Sequence, residues 1–167
     1  QATIPPVNRT LERPAAPLAW WGTPPILAGR DLQAGGAWLG LTAAGRLAML
    51  TNIRRPGSQR EQAPSRGDIV PLWLRGEHSP QTFCAALAGA GHNPFNCIAA
   101  DLAEGAAFYT SADQLSPQTL APGLYGLSNA ALDTPWPKVE RLKAQLQHAL
   151  DHAASAAELA TAMFDAL

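Results

Sequence analysis

Three short apolar-rich runs, ILAG, AWLGLT and RLAMLTN, follow one another between Ile26 and Asn52, separated by Gly35-Gly36 and by the turn AAG. Runs of this length bounded by glycine predict strands, and three in succession predict an antiparallel meander. The paired glycines supply the positive-φ freedom that a tight turn needs. Further along, FNCIAADL and AAFYTS predict a second strand pair, with Asp101 and Glu104 around its turn. DIVPLWL has the apolar spacing of a short helix. SPQTFCAALAGAG opens with Ser79 as N-cap and Pro80 at the first helical position, and its glycines end it. The stretch GLYGLSNAALDTPWPKVERLKAQLQHAL runs from a strand through a proline-rich corner into an amphipathic helix, and SAAELATAMFDAL is helical to the last residue. At the corner, Asp133 or Thr134 is expected to cap the helix, with Trp136 packed inward.

Residues 1–25 are rich in proline and read as extended and irregular, pinned to the body by Trp20 and Trp21. Residues 53–67, IRRPGSQREQAPSRG, read as a long exposed loop. Strands and helices are segregated instead of alternating, and no glycine-rich strand-to-helix turn of the nucleotide-binding kind occurs. The fold class is therefore α+β with a mostly antiparallel sheet, in a single domain without internal repeats.

Composition narrows the function. Of 167 residues, 47% are hydrophobic and 15% charged, with a formal net charge of −1. That balance offers no general attraction to nucleic acid or to anionic membranes, and no apolar run is long enough for a membrane span. Cys84 and Cys97 have no metal-ligand spacing and read as buried thiols of a reducing compartment, the cytoplasm. Arginine-rich, lysine-poor and alanine-rich usage suggests a GC-rich bacterial genome.

Several residues are candidates for chemistry. Arg30 and Asp31 are adjacent, so on a strand they point to opposite faces; one can brace the turn while the other faces a groove. Arg54, Arg55 and Arg66 have the guanidinium forks of an anion-binding rim, and Ser65-Arg66-Gly67 directly precedes a helix; the alternative is a solvated loop. Asn96, Ser128 and Asn129 sit where an amide can donate to a substrate carbonyl or satisfy a turn. His148 and His152 lie one helical turn apart, but among Gln, Ala and Asp on an exposed face, so no metal site is expected. No Ser-His-Asp or Cys-His arrangement can be read.

Taken in order, NR…ERPAAPLAWW, ILAGRDLQAGGAWLGLTAAGRLAMLTN, SRG, FNCIAADL and LYGLSNAALDTPWPKV resemble the NRDE family, that of transport and Golgi organisation protein 2. The resemblance covers almost the whole chain. It implies an N-terminal-nucleophile-hydrolase-like αββα sandwich, of which residues 1–167 would be one domain incomplete at both ends. Two departures stand out. Asn8-Arg9 is followed by Thr10-Leu11-Glu12 without the family's Asp-Glu pair, and Gln1 carries no nucleophilic side chain. The resemblance implies a small-molecule ligand, anionic and amphipathic, with haem or an acyl-CoA as examples. Asn8, Arg9, Arg30, Asp31, Asn52, Arg54, Arg66, Asn96, Ser128 and Asn129 are the candidate contacts. The alternatives are an amide or thioester hydrolase, with Arg9 near the nucleophile and Asn52 or Asn129 polarising the carbonyl, and a trafficking or interaction module.

Overall fold

The computed structural model describes residues 14–53, 55 and 57–165. Asn8, Arg9 and Arg54 therefore lie outside the described residues. Seven strands form one sheet in sequence order: β1 (Ala15–Trp21), β2 (Ile26–Asp31), β3 (Leu39–Thr42), β4 (Arg46–Asn52), β5 (Phe95–Asp101), β6 (Ala106–Ser111) and β7 (Gln118–Thr119). Every neighbouring pair is antiparallel. The meander and the FNCIAADL/AAFYTS pair stand where the apolar runs placed them. Four helices complete the described chain: α1 (Ile69–Arg75), α2 (Pro80–Leu87), α3 (Pro137–His152) and α4 (Ala156–Asp165). This is the α+β, antiparallel class expected, and one sheet is present among the described residues.

Alternation divides the sheet into two unlike faces. Ile26, Ala28, Ala48, Leu50, Cys97 and Ala99 are buried on one face, beneath Ile69, Val70, Trp73 and Leu74 of α1 and Phe83, Cys84 and Leu87 of α2. Gly40 makes room for this layer, because a Cβ there would lie 2.6 Å from Leu74 Cδ1. Arg46 braces the same layer by lying 3.5 Å over the Trp73 ring while donating to the carbonyls of Trp73 and His78. On the opposite face Leu27, Leu41, Leu47, Met49 and Ile98 are only partly buried. Residues 121–136 cross over the β4–β6 part of that face on the way to α3.

Local signals explain most boundaries. Ser79 Oγ accepts from the Thr82 amide, capping α2 as expected. Gly45, at φ +89°, turns β3 into β4.

Three expectations are corrected. The proline-rich start is not irregular throughout, since Ala15–Trp21 is a strand. It is an edge strand, and Pro17 falls where its register with β2 shifts, between Ala16 and Ala19; a missing N–H is tolerated at an edge bulge. Trp20 stays 54% exposed, while Trp21 is half-buried and donates from Nε1 to the Ala28 carbonyl at 3.1 Å. The stretch from Gly123 forms no strand; β7 is the two-residue piece upstream, and the later residues spend their carbonyls on sheet side chains instead. Finally, α3 starts after Trp136 with no side-chain cap. Asp133, at φ +56°, instead accepts from the Gly126 amide and from Lys143 Nζ, each at 2.7 Å, and Trp136 is 47% exposed.

Candidate functional site

The ends of β4, β5 and β6 open into a cleft of about 770 Å³ on the less covered face of the sheet, closed above by residues 128–132 and by the start of α3. The dimension falls within the range of small-molecule sites. Asn96, Tyr109 and Ser111 rise into it from β5 and β6, one residue apart in face parity from the buried Cys97 and Thr110. Ile53, Leu132 and Trp136 supply apolar wall, and Arg55, Asp113, Gln118 and Lys138 supply polar rim.

Asn96 organises the roof. It is fully buried, accepts from Tyr109 Oη at 2.8 Å, and donates from Nδ2 to the Ala130 carbonyl at 2.8 Å. The same Nδ2 lies 3.1 Å from Thr51 Oγ1, which donates to the Ser128 carbonyl at 2.6 Å. Tyr109 Oη in turn accepts from the Leu132 amide at 3.3 Å. Three side chains from three adjacent strands thus hold 128–132 over the sheet. The Asn129 amide reaches toward β4, donating from Nδ2 to the Asn52 carbonyl at 2.9 Å. Asn52 sits behind, and its Oδ1 is buried without a hydrogen-bond partner among the described residues. That is an unusual state for a buried carbonyl oxygen.

The cations of the rim differ in their pairing. Arg55 is committed to Asp113 at 2.7 Å. Lys138 makes no ion pair or hydrogen bond among the described residues. The other described arginines of the polar loop make backbone bonds: Arg60 donates to the Gly91 and His92 carbonyls, and Arg66 to the Pro94 carbonyl at 2.9 Å.

Of the residues singled out in the sequence, Asn96, Ser128 and Asn129 line the cleft and Asn52 adjoins it. Arg30 and Asp31 lie at the other end of β2, in the turn to β3. Asp31 Oδ1 accepts from the Gln33 and Ala34 amides at 2.8 and 2.9 Å, and Arg30 Nε donates to the Gly35 carbonyl at 3.3 Å while its guanidinium lies 4.9 Å from the Trp21 ring centre. Gly36 then packs on Gly67, whose carbonyl accepts from the Ala37 amide at 3.0 Å. The Gly-Gly turn and the SRG segment are one packed unit. Sequence reasoning missed Tyr109, Ser111, Trp136 and Lys138. The first two carried a usable signal, because antiparallel pairing places Ser111 opposite Asn96 and Tyr109 beside it on one face.

The thiols take no part. Cys84 and Cys97 are buried on the helix-covered face; burial pushes the Cys84 thiol up to about 12 and the Cys97 thiol well above its usual range. His148 and His152 stack at 4.1 Å, and His152 Nδ1 lies 2.8 Å from the His148 carbonyl. No group of three or more His, Cys, Asp or Glu that could hold a metal occurs among the described residues. No described helix is long and apolar enough to cross a membrane.

Comparison with known proteins places this architecture. The family model described as Transport and Golgi organisation 2 matches residues 8–167. The Transport and Golgi organization protein 2 homolog of Bos taurus is 39% identical over 137 residues, 76% of this chain and 49% of the relative. The Mus musculus and Homo sapiens homologs are each 38% identical over the same length. The chain spans about half the length of these mammalian relatives. With nearly all its residues under the family model and its β-meander, crossing segment and cleft residues inside the matched span, the chain belongs to the Transport and Golgi organisation 2 family.

Proposed function

We propose that this domain binds a small anionic, amphipathic molecule in the cleft above β4–β6. The observation that carries the reading is the conjunction of an apolar wall, Ile53, Leu132 and Trp136, with the unpaired ammonium of Lys138 on the rim. A charged group beside apolar surface, with no carboxylate of its own, is arranged for a ligand that brings both. An acyl derivative suits this lining better than haem does. Among the described residues no His, Cys or Met lines the cleft, and its one tyrosine, Tyr109, has its hydroxyl engaged by Asn96 and the Leu132 amide, so a porphyrin iron there would have to break that network to gain an axial side chain. The two free, buried cysteines support a reducing setting such as the cytoplasm. The test is calorimetric titration of the chain with octanoyl-CoA and, separately, haemin. Saturable binding of the former, weakened roughly tenfold by Lys138→Ala, is expected from loss of one charge-assisted contact. Absence of saturable heat with either ligand refutes the reading.

One observation favours a second reading, acyl amide or thioester hydrolysis by an N-terminal cysteine. The Asn52 carboxamide is not spent on the protein's own network, whereas the Asn129 amide is. Oδ1 is an acceptor, so polarising a substrate carbonyl falls to Nδ2 of the same carboxamide, which makes no hydrogen bond among the described residues. In a form of the protein that begins with such a cysteine, thiol release from an acyl-CoA should then fall about 10²-fold or more in Asn52→Ala. Unchanged turnover in that variant removes Asn52 from the chemistry.

A further inference from the structure

A second cavity, about 460 Å³, adjoins the cleft along the underside of α3 and shares Ser128 and Lys138 with it. Its floor is the cross-strand pair Met49 and Ile98, and its walls are Leu127 of the crossing segment and Val139, Leu142 and Leu146 of α3. Met49 and Ile98 stand in the middle of the sheet yet are only partly buried, and Leu142 is 38% exposed. The rim is cationic. Lys143 is paired with Asp133 at 2.7 Å, but Lys138 and Arg141 have no ion pair or hydrogen bond among the described residues. These two lie three residues apart on one helix, a spacing at which like charges repel unless an anion sits near both.

We propose that this groove is the alkyl-chain subsite of the ligand whose polar part occupies the cleft, so that one single-chain anionic amphiphile spans both cavities. The proposal rests on the cleft being a ligand site and specifies which end goes where. The chain lies over Met49 and Ile98, the anionic head lies against Lys138 at the edge of the cleft with Arg141 flanking it on the groove side, and Ser128 marks the junction. Two features select this occupant. The groove borders the cleft at two shared residues, Ser128 and Lys138, and its unpaired charges among the described residues are of one sign. A purely apolar occupant would leave both cations unanswered; an inorganic anion would leave the floor bare.

The test is calorimetric titration of the full chain with straight-chain carboxylates from butyrate to palmitate, below their micelle concentrations. Affinity should rise by up to about fourfold per methylene and then level off when the groove is full. Ile98→Trp, which fills the floor, should bring the plateau to shorter chains. Should that variant fail to fold, Leu142→Glu on the exposed flank of α3 replaces it and should abolish the chain-length dependence. Lys138→Gln should weaken every chain by the same factor. Binding that is independent of chain length overturns the subsite but leaves the cleft reading standing, whereas no binding at any length overturns both. Co-sedimentation with phosphatidylserine vesicles without binding of any monomeric carboxylate assigns the cations to a lipid surface, and it too overturns the subsite.

Discussion

Replacing Asn96 with alanine should loosen the roof of the cleft and cost the fold measurably. The side chain is fully buried and makes two bonds at 2.8 Å, one from Tyr109 Oη and one to the Ala130 carbonyl. Its removal strands a hydroxyl on Tyr109, itself 2% exposed, and a carbonyl on the crossing segment. A buried polar group left without a partner costs about 1–3 kcal/mol, and the half-buried Ala130 carbonyl belongs at the low end, so the sum is about 3 kcal/mol. For a chain of this size that corresponds to roughly 6–12 °C in Tm. Urea denaturation followed by circular dichroism reads the loss. Amide exchange at Leu132, whose N–H donates to Tyr109 Oη, reads the loosening. Tyr109→Phe probes the same network from the other side, and the double variant should show a coupling of at least about 0.5 kcal/mol. Asn96→Asp adds a sign. A carboxylate beside the Ser128 and Ala130 carbonyls is favoured only when protonated, so its folded pKa rises above the ordinary value of about 3.9. That variant's stability is therefore best in acid and is lost as pH rises through the raised pKa. A loss below about 0.5 kcal/mol in Asn96→Ala, the range of an inconsequential surface change, would refute the account of the roof.

Gly36→Ala should destabilise by about 3 kcal/mol or more, because its Cβ would stand 2.5 Å from the Gly67 backbone and neither backbone can yield; a near-normal Tm would contradict that packing. Asp31→Ala should cost about 1–2 kcal/mol through the lost Gln33 and Ala34 amide bonds, with ligand affinity unchanged; a change in affinity without a change in stability would make Asp31 a contact residue instead. Cys84, held at about 12, and Cys97 should resist a thiol reagent near neutral pH in the folded chain and react once urea unfolds it. The Lys143 hydrogen bond, helped by the Gly126 amide, holds the Asp133 carboxyl below its usual value, so its contribution is present above about pH 4 and is lost as pH falls through the lowered value. The pair is partly exposed, which limits the effect to under about 1 kcal/mol, and Asp133→Asn should remove that acid-side decline in a Tm series.

What could be read from the sequence was what neighbours in the chain decide among themselves. Glycine at a turn, Ser79 ahead of Pro80 and the alternation of Ile26 to Asn52 are local facts, and the structure keeps them. Asp133 shows the limit of that logic. As a residue preceding prolines and a helix it reads as a cap, but Lys143 and Gly126 are better partners, and only the folded corner brings them to it. The strand expected from Gly123 onward fails for the same reason. Its apolar residues fit a strand, yet Thr51 and Asn96 already offer its carbonyls side-chain donors on the sheet face, so no ladder is needed. The cleft is the extreme case. Asn52 and Asn129 are bonded 77 positions apart, and Lys138 joins them from a helix that could equally have packed elsewhere. The sequence marks such residues only as polar interruptions near strand ends, a pattern shared by every ordinary turn. What separates the two cases is whether the amide is spent. The Asn129 amide is spent on Asn52; the Asn52 carboxamide is not, and a side chain that folding buries and leaves unpaired is where a ligand has something to gain.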